Sequence, residues 1–419
     1  MIQKIYETKI GLYKGTIPRI SLETRRLENT KFLPGTKVVL KYYKNKITIE
    51  VDSQGKKQVT SRRGKQVLDI KSKEIKKAFD GISIVKVVVG EKTIEISPIK
   101  EAIEQKRAKA KVAKSKRVWK VMDLFCSGGT LAKCFYDHSK FKIEVGIDYD
   151  DRKLETYEKN FPNVLTWCGD VANVEWNKFK NIDVLAMTPS CRPFSKANTT
   201  GKKAEKAIDG DNTALALFGI YTIRPAVILL EEVPGYKDSY SYFIFKSTLQ
   251  KMGYYINEKI LSAKDFGSLS YRKRLCMVAS IKKGFSFLPV QPSFQKKVKD
   301  ILEIPYNKRE WTDMQMQKSW EEKQKSKNNN FVMHFVDEES EAVRHPTTRY
   351  YSRQTSSFLI NTEGQKSFFT PRELARIADL PDSFILPENR SEAAAVIGDG
   401  VVYSVFFYVV ECIARHLGG

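Results

Sequence analysis

The residues best placed to do chemistry stand in IDVLAMTPSCRPFS (182–195), where Cys191 sits in a loop between Pro189 and Pro193. A thiol so placed is a candidate nucleophile, because a thiolate bonds to electron-poor carbon and can leave again. The element that must hold it is the run Val184, Leu185, Ala186 and Met187, whose length and apolar character suit a strand buried on both faces. The prolines forbid its extension, so the strand stops short of Cys191. In open α/β sheets ligands bind outside the carboxyl ends of the strands, and that is where this thiol is carried.

Other strand ends carry groups that suit a nucleoside cofactor. WKVMDLFCSGGTLAKCF (119–135) reads as a strand, a Gly-containing turn and a helix start, a sequence of parts that brings backbone N–H groups to a ligand. The next strand, 143–147, ends in Asp148 and Tyr149. An acid about 20 residues after such a turn is placed to bond ribose hydroxyls, and the aromatic to cover an adenine face. A third strand, around 164–167, is followed by Gly169, Asp170 and Val171. Strand and helix alternate from Val118 onward, which predicts an α/β domain.

Composition bounds these readings. With 419 residues, 42% hydrophobic, the chain holds enough core-forming side chains for two or three domains. Its most apolar stretch, 401–414, contains Ser404 and Glu411 and predicts a buried helix rather than a membrane span. The opening MIQKIYETKI lacks the apolar centre of a secretory signal, so a cytoplasmic protein with no membrane partner is expected. Six cysteines without paired spacing and four histidines predict reduced thiols and no metal site. Net charge is +23, and residues 1–120 alone hold 31 basic against 12 acidic residues. A surplus so concentrated points to a polyanion partner.

Residues 1–98 predict a basic β-rich unit with an internal repeat. Segments 14–51 and 64–97 each order a strand, a short polar helix, a Gly turn and a hairpin. Residues 99–117, rich in Lys, Arg, Ala and Glu, predict a basic helical linker. The segment IPRISLE followed by LPGTKVVLKYYKNKITI resembles the AbrB/MazE type of swapped-hairpin β-barrel, and a fused pair would build such a barrel in one chain. That resemblance implies a DNA-binding role.

Across 118–415 the sequence resembles the DNA cytosine-5 methyltransferase family. DLFCSGG is similar to its first motif, GIDYDD to its second, GDV to its third and PSCRPFS to its catalytic loop. LLEEVPGY, FGSLSYRKRLCMVAS, TPRELARIADLPDSF and IGDGVVYSVFFYVVECIAR follow in the family's order. The resemblance implies a Rossmann-like S-adenosylmethionine-dependent methyltransferase domain at 118–281, a small target recognition domain at 282–366 and a return segment at 367–419. It makes Cys191 the nucleophile, Glu231 the acid at ring nitrogen 3, and Arg274 the holder of the exocyclic oxygen, with Arg272 beside it. Positive charge, Arg192 included, is expected to favour the thiolate. The cofactor S-adenosylmethionine falls to Phe125, Ser127, Gly129 and Thr130 at the turn, Asp148 at the ribose, Tyr149, Asp170 and Val171 at the adenine, and Gly400 and Val401 on the return. The target base is expected to be flipped out of the duplex.

Substrate contacts are expected from Arg192 and Ser195 in the catalytic loop. Arg349 and Arg353 join them in RHPTTRYYSRQ (344–354), where arginines and tyrosines suit phosphates and unstacked bases. The chain departs from the family at Ser127, Ser190, Arg192, Glu232, Ser270 and Asp399, but keeps the four reacting groups. The expected function is methylation of DNA, taken as double-stranded, at cytosine carbon 5. The alternatives are methylation of RNA, tRNA or an unusual nucleotide, and a disabled enzyme acting as a DNA-binding or architectural protein. The sequence leaves the oligomeric state open, a monomer being plausible.

Overall fold

The structure is a computed structural model that describes residues 2–112, 118–179, 181–191, 194, 212–290, 294–326, 333–352 and 357–418. Two compact units divide the chain, Met1–Lys111 and Val112–Gly419.

In the first unit alternating burial sets which way each strand faces. In Ile17–Glu23 the side chains of Pro18, Ile20 and Leu22 are buried while those between them face outward. Each half runs hairpin, helix, hairpin. Gly11–Tyr13 and Ile17–Glu23, Thr24–Leu27, then Lys37–Tyr43 and Lys46–Val51 are followed by Thr60–Arg62 and Lys65–Lys71, Lys73–Ala78, then Ile84–Gly90 and Thr93–Pro98. The halves pair across one another, with Ile20 opposite Ile70 in one sheet and Ile49 opposite Ile94 in the other. Both opening hairpins turn on a basic residue and a glycine, Lys14–Gly15 and Arg63–Gly64, each at φ 49° and 74°. These are the left-handed values that a two-residue hairpin turn requires, as between Arg62 and Lys65; the loop between Tyr13 and Ile17 adds Thr16 to the same turn.

The result is a six-stranded and a four-stranded antiparallel sheet over one core. The small sheet is edged by strands of three residues, Gly11–Tyr13 and Thr60–Arg62. The expected linker is largely a helix, Lys100–Val112, whose Ala102 packs on that same core.

The second unit is built on seven strands: β1 (Trp119–Leu124), β2 (Phe141–Asp148), β3 (Leu165–Cys168), β4 (Val184–Met187), β5 (Val227–Glu232), β6 (Tyr255–Ser262) and β7 (Lys273–Ser280). Their order is β3-β2-β1-β4-β5-β7-β6, parallel from β3 to β5, with β7 antiparallel to both its neighbours. All four residues of β4 and all six of β5 are buried, as strands covered on both faces must be. The order reverses between β1 and β4, which opens a crevice at the carboxyl ends of the central strands. Because β7 runs the other way, the residues just before it reach that same edge.

Four helices matter for the site: α1 (Thr130–Tyr136), α2 (Asp151–Asn160), α3 (Arg390–Asp399) and α4 (Tyr403–Gly418). The return segment brings α3 and α4 back onto the start of the domain, where Thr130 Oγ1 accepts the Val401 N–H at 3.0 Å. Residues 401–414, expected to form a buried helix, lie mostly in α4, and among the described residues no single helix is long and apolar enough to cross a membrane. A three-stranded sheet (His334–Val336, Ser357–Ile360 and Lys366–Ser367) forms part of the expected recognition region. It is tied to the return segment by a fully buried ion pair of Arg309 and Glu373. Glu373 also accepts the Glu303 N–H at 2.8 Å and closes a capping box with Thr370.

Candidate active site

The turn after β1 is wound tightly. Phe125, Ser127 and Gly129 all have positive φ, at 60°, 48° and 91°. Glycine alone adopts such values without strain, which explains why the family places glycine where this chain has Ser127. The turn is fixed from β2: Cys126 donates its N–H to the Ile147 carbonyl at 3.0 Å, and Ser127 donates its N–H to the Asp148 carboxylate at 2.8 Å. Asp148 also accepts the Asp150 N–H at 3.0 Å. Burial raises its carboxyl above the ordinary range, against these two N–H groups and Lys153.

A cleft of about 80 Å³ opens at these strand ends. On one side it is lined by Phe125, Ser127, Asp148, Tyr149 and Lys153; on the other by Cys191, Glu231 and Arg272. Thr188, Pro189 and Ser190 lead along its floor from β4 to Cys191, and Asn212 and Asp399 complete the wall. The structure thus brings the expected nucleophile, the expected acid and the expected ribose-binding carboxylate into one space.

The reacting side is electrostatically crowded. Glu231, at the end of β5, is 5% exposed, and its carboxylate meets Arg274 Nε at 2.7 Å. Arg272 reaches the Gly398 carbonyl through Nη1 at 3.0 Å, and its Nε has no hydrogen-bond acceptor among the described residues. Burial, and Arg274 beside it, lower the proton affinity of Arg272 to a pKa of about 9, so it stays charged at neutral pH. Burial pushes the Cys191 thiol up, and the nearby positive charge expected to favour the thiolate is present in Arg274 and Arg272, which oppose that rise without prevailing. Arg192, invoked for that charge, lies outside the described residues, as do Ser195 and Arg353.

Other expected residues are near the cleft without lining it. Gly129 caps α1, and a Cβ there would come within 2.4 Å of Phe161. Gly400 gives room to Thr130, whose Oγ1 would lie 2.5 Å from a Cβ at that position. Asp170 caps the short turn that begins at Val171, accepting the Ala172 N–H at 2.8 Å, and Val171 is buried. Arg349 is exposed on the recognition segment. The tyrosines beside it do not await bases: Tyr350 is 3% exposed and its hydroxyl accepts the Phe369 N–H, while the Tyr351 hydroxyl donates to the Phe369 carbonyl at 2.8 Å. Both aromatics pin the segment to the core.

One cleft residue, Lys153, had no signal in the sequence, and Asp399 stood out there only as a departure from the family. Lys153 on α2 meets Asp399 at the end of α3, with Nζ 2.6 Å from Oδ2. Asp399 stands where the family has Asn, and the cation opposite it accounts for the change.

Residues 119–415 match the family described as C-5 cytosine-specific DNA methylase. The type II methyltransferase M.NlaX of Neisseria lactamica is 28% identical over 311 residues, covering 70% of this chain and 96% of that protein. The type II methyltransferase M1.ScrFI of Lactococcus lactis subsp. cremoris is 26% identical over 313 residues, covering 70% and 77%. Among solved structures, the S. pombe Dnmt2 methyltransferase superposes with a TM-score of 0.59 at 21% identity, covering 73% of this chain and 100% of that one, and so shares the fold. The match spans the whole of the seven-stranded domain and both sides of its cleft, and the chain belongs to the C-5 cytosine-specific DNA methylases and is a DNA cytosine-5 methyltransferase.

Proposed function

We propose that this cleft methylates carbon 5 of a cytosine turned out of duplex DNA, with S-adenosylmethionine as donor and Cys191, Glu231, Arg272 and Arg274 as the reacting groups. The observation that carries the reading is the shared cleft, in which Cys191 and Glu231 face Asp148 and Tyr149 across one volume. The donor fits what lines it. Asp148 offers a carboxylate to ribose hydroxyls, Phe125 and Tyr149 offer apolar faces, and the buried Ser127 hydroxyl lacks a partner among the described residues. When bound, S-adenosylmethionine supplies an electrophilic methyl group.

The chain's own residues do the rest. Cytosine is a weak electrophile at carbon 6 until its ring is polarised, and Arg272 and Arg274 at the exocyclic oxygen with Glu231 at nitrogen 3 provide that polarisation. Addition then needs the Cys191 thiolate. The thiol proton passes to solvent water as the sulfur adds to carbon 6, and Glu231 delivers a proton to nitrogen 3, which takes up the charge that develops on the ring. Formation of the sulfur–carbon bond makes carbon 5 nucleophilic and able to take the methyl group. Loss of the carbon-5 proton to water, with cleavage of the sulfur–carbon bond and return of the nitrogen-3 proton to Glu231, restores the ring, the thiolate and the acid. Transfer of a labelled methyl group to duplex DNA tests the scheme: Cys191→Ala is expected to abolish it with unchanged thermal unfolding, and labelling equal to wild type would reject the mechanism.

The first unit is read as an extra hold on the DNA backbone, consistent with its resemblance to AbrB/MazE-type proteins. On the outward face of its small sheet, Arg19, Arg62 and Lys71 converge on Asp69 at 2.6, 3.6 and 3.2 Å. One buried carboxylate thus holds three cations in place, with a net charge of +2. The basic turns at Lys14 and Arg63 belong to the same sheet. Such a fixed, sequence-indifferent set of cations suits phosphates.

A further inference from the structure

Arg272, one of the four reacting groups, is itself held by a hydrogen-bond chain. Ser270, where the family has Gln, is fully buried just before β7. Its hydroxyl lies 3.3 Å from the Arg272 N–H and 3.1 Å from His345 Nδ1. His345 belongs to the segment expected to meet DNA, yet its other nitrogen, Nε2, lies 3.3 Å from the Ile397 carbonyl on α3. One residue further along α3, the Gly398 carbonyl accepts from Arg272 Nη1 at 3.0 Å.

Valence fixes the direction of this chain. A carbonyl can only accept, so Nε2 of His345 carries the ring proton and Nδ1 is the acceptor. Ser270 must then donate to Nδ1, which leaves its oxygen lone pairs for the Arg272 N–H. A neutral imidazole is what such a site needs, and burial, with Arg272 and Arg274 nearby, keeps His345 well below its ordinary pKa. The recognition segment is joined to the same place by backbone, since Val343 donates its N–H to the Leu269 carbonyl at 2.8 Å and bridges Ser270 in parallel. Arg272 is therefore gripped at its backbone through Ser270 and at its guanidinium through α3, and His345 closes the loop between the two.

We propose that Ser270 and His345 are positioning residues that couple the seating of the recognition segment to the placement of Arg272, and so set the rate of the chemical step rather than the affinity for either substrate. The proposal rests on the reading of Arg272 as one of the reacting groups. An arginine freed at one of its two anchors, backbone or guanidinium, samples other placements in the cleft, and misplacement of this order costs a reaction roughly tenfold or more.

The test is single-turnover methyl transfer to duplex DNA by the full chain, together with the dissociation constants for DNA and for S-adenosylmethionine. Ser270→Ala and His345→Leu are each expected to slow transfer roughly tenfold with both dissociation constants within about twofold of wild type. The double variant is expected to be no slower than the slower single one, because the two residues act as one chain. His345→Gln, which can still donate to the Ile397 carbonyl, is expected to recover part of the rate. Multiplicative loss in the double variant, or loss through weakened DNA or donor binding, would overturn the proposal. Arg272→Ala serves as the companion measurement. If it leaves transfer intact, the assignment of Arg272 falls; if it slows transfer while Ser270→Ala and His345→Leu do not, only the coupling falls. Circular dichroism and the unfolding midpoint identify any variant that fails to fold, and for that position the smaller changes His345→Asn or Ser270→Gly replace it, judged by the same criteria.

Discussion

Glu231 and Glu232 are neighbours at the end of β5 and both are buried, 5% and 1% exposed, but their surroundings assign them opposite tasks. Glu231 lines the cleft and meets Arg274. Glu232 spends one oxygen on the Val233 N–H at 2.7 Å, and its other oxygen has no hydrogen-bond partner among the described residues. Burial, then the charge of Glu231, pushes the Glu232 carboxyl well above its ordinary 4.5. The sign of the pH dependence follows. The folded chain keeps a proton that the unfolded chain releases near 4.5, so the stability contribution of this group is full below that value and is lost as pH rises toward the folded one. The loss grows at about 1.4 kcal/mol per pH unit between the unfolded and the folded value. Glu232→Gln keeps the accepting oxygen and has no proton to lose. Its stability is expected to match wild type near pH 4.5 and to gain on it, at about that rate per pH unit, as pH rises toward the folded value. Urea unfolding of both proteins from pH 5 to 7 measures this difference. Parallel curves would mean that Glu232 is ionised in the folded protein and would refute the argument. In the methyl-transfer assay Glu232→Gln is expected to remain within about threefold of wild type, whereas Glu231→Gln loses a factor of about 10² to 10⁴, the range for a general acid.

Three further expectations follow from the same geometry. Asp148→Asn exchanges a carboxylate for an amide at the ribose position and is expected to weaken S-adenosylmethionine binding about tenfold to a hundredfold by calorimetry, the worth of a charge-assisted hydrogen bond; unchanged affinity would remove Asp148 from the donor site. Lys153→Ala and Asp399→Asn each break an ion pair whose side chains are 16% and 27% exposed. Each is expected to destabilise the chain by about 1 to 2 kcal/mol, and the double variant by less than their sum, since the two residues touch; strict additivity in urea unfolding would contradict the pairing. Replacing Arg62 and Lys71 by Ala is expected to reduce the slope of log binding constant against log salt by about 2, roughly 0.9 for each phosphate left without its cation. An unchanged slope would show that the small sheet does not touch the backbone.

What can be read from the sequence, and what cannot, divides by how far a residue's partner lies along the chain. Cys191, Asp148 and the turn at 125–129 are legible because each follows a short apolar strand, and a strand's end is a local event marked by proline, glycine or an acid. Their convergence is legible too, since parallel strands of one sheet present all their carboxyl ends at one edge. The Lys153–Asp399 pair is not, because its members lie 246 residues apart and each looks like a solvated charge on its own helix. The resting state of Cys191 is hidden for a related reason. Charges nearby can be counted from a motif, but the burial that outweighs Arg272 and Arg274 belongs to the packed unit. RHPTTRYYSRQ misleads in the same way: aromatic and basic residues in a loop suggest bases and phosphates, yet Tyr350 and His345 turn inward to fasten the recognition segment. In the first unit the repeat is visible, but its edge strands of three residues are not, because so short a run shows no hydrophobic alternation. The family departures at Ser270 and Asp399 fall where the structure supplies a non-local partner, His345 for one and Lys153 for the other. A substitution inside a motif is therefore best judged by the residue that faces it, and here both facing residues lie outside the motif.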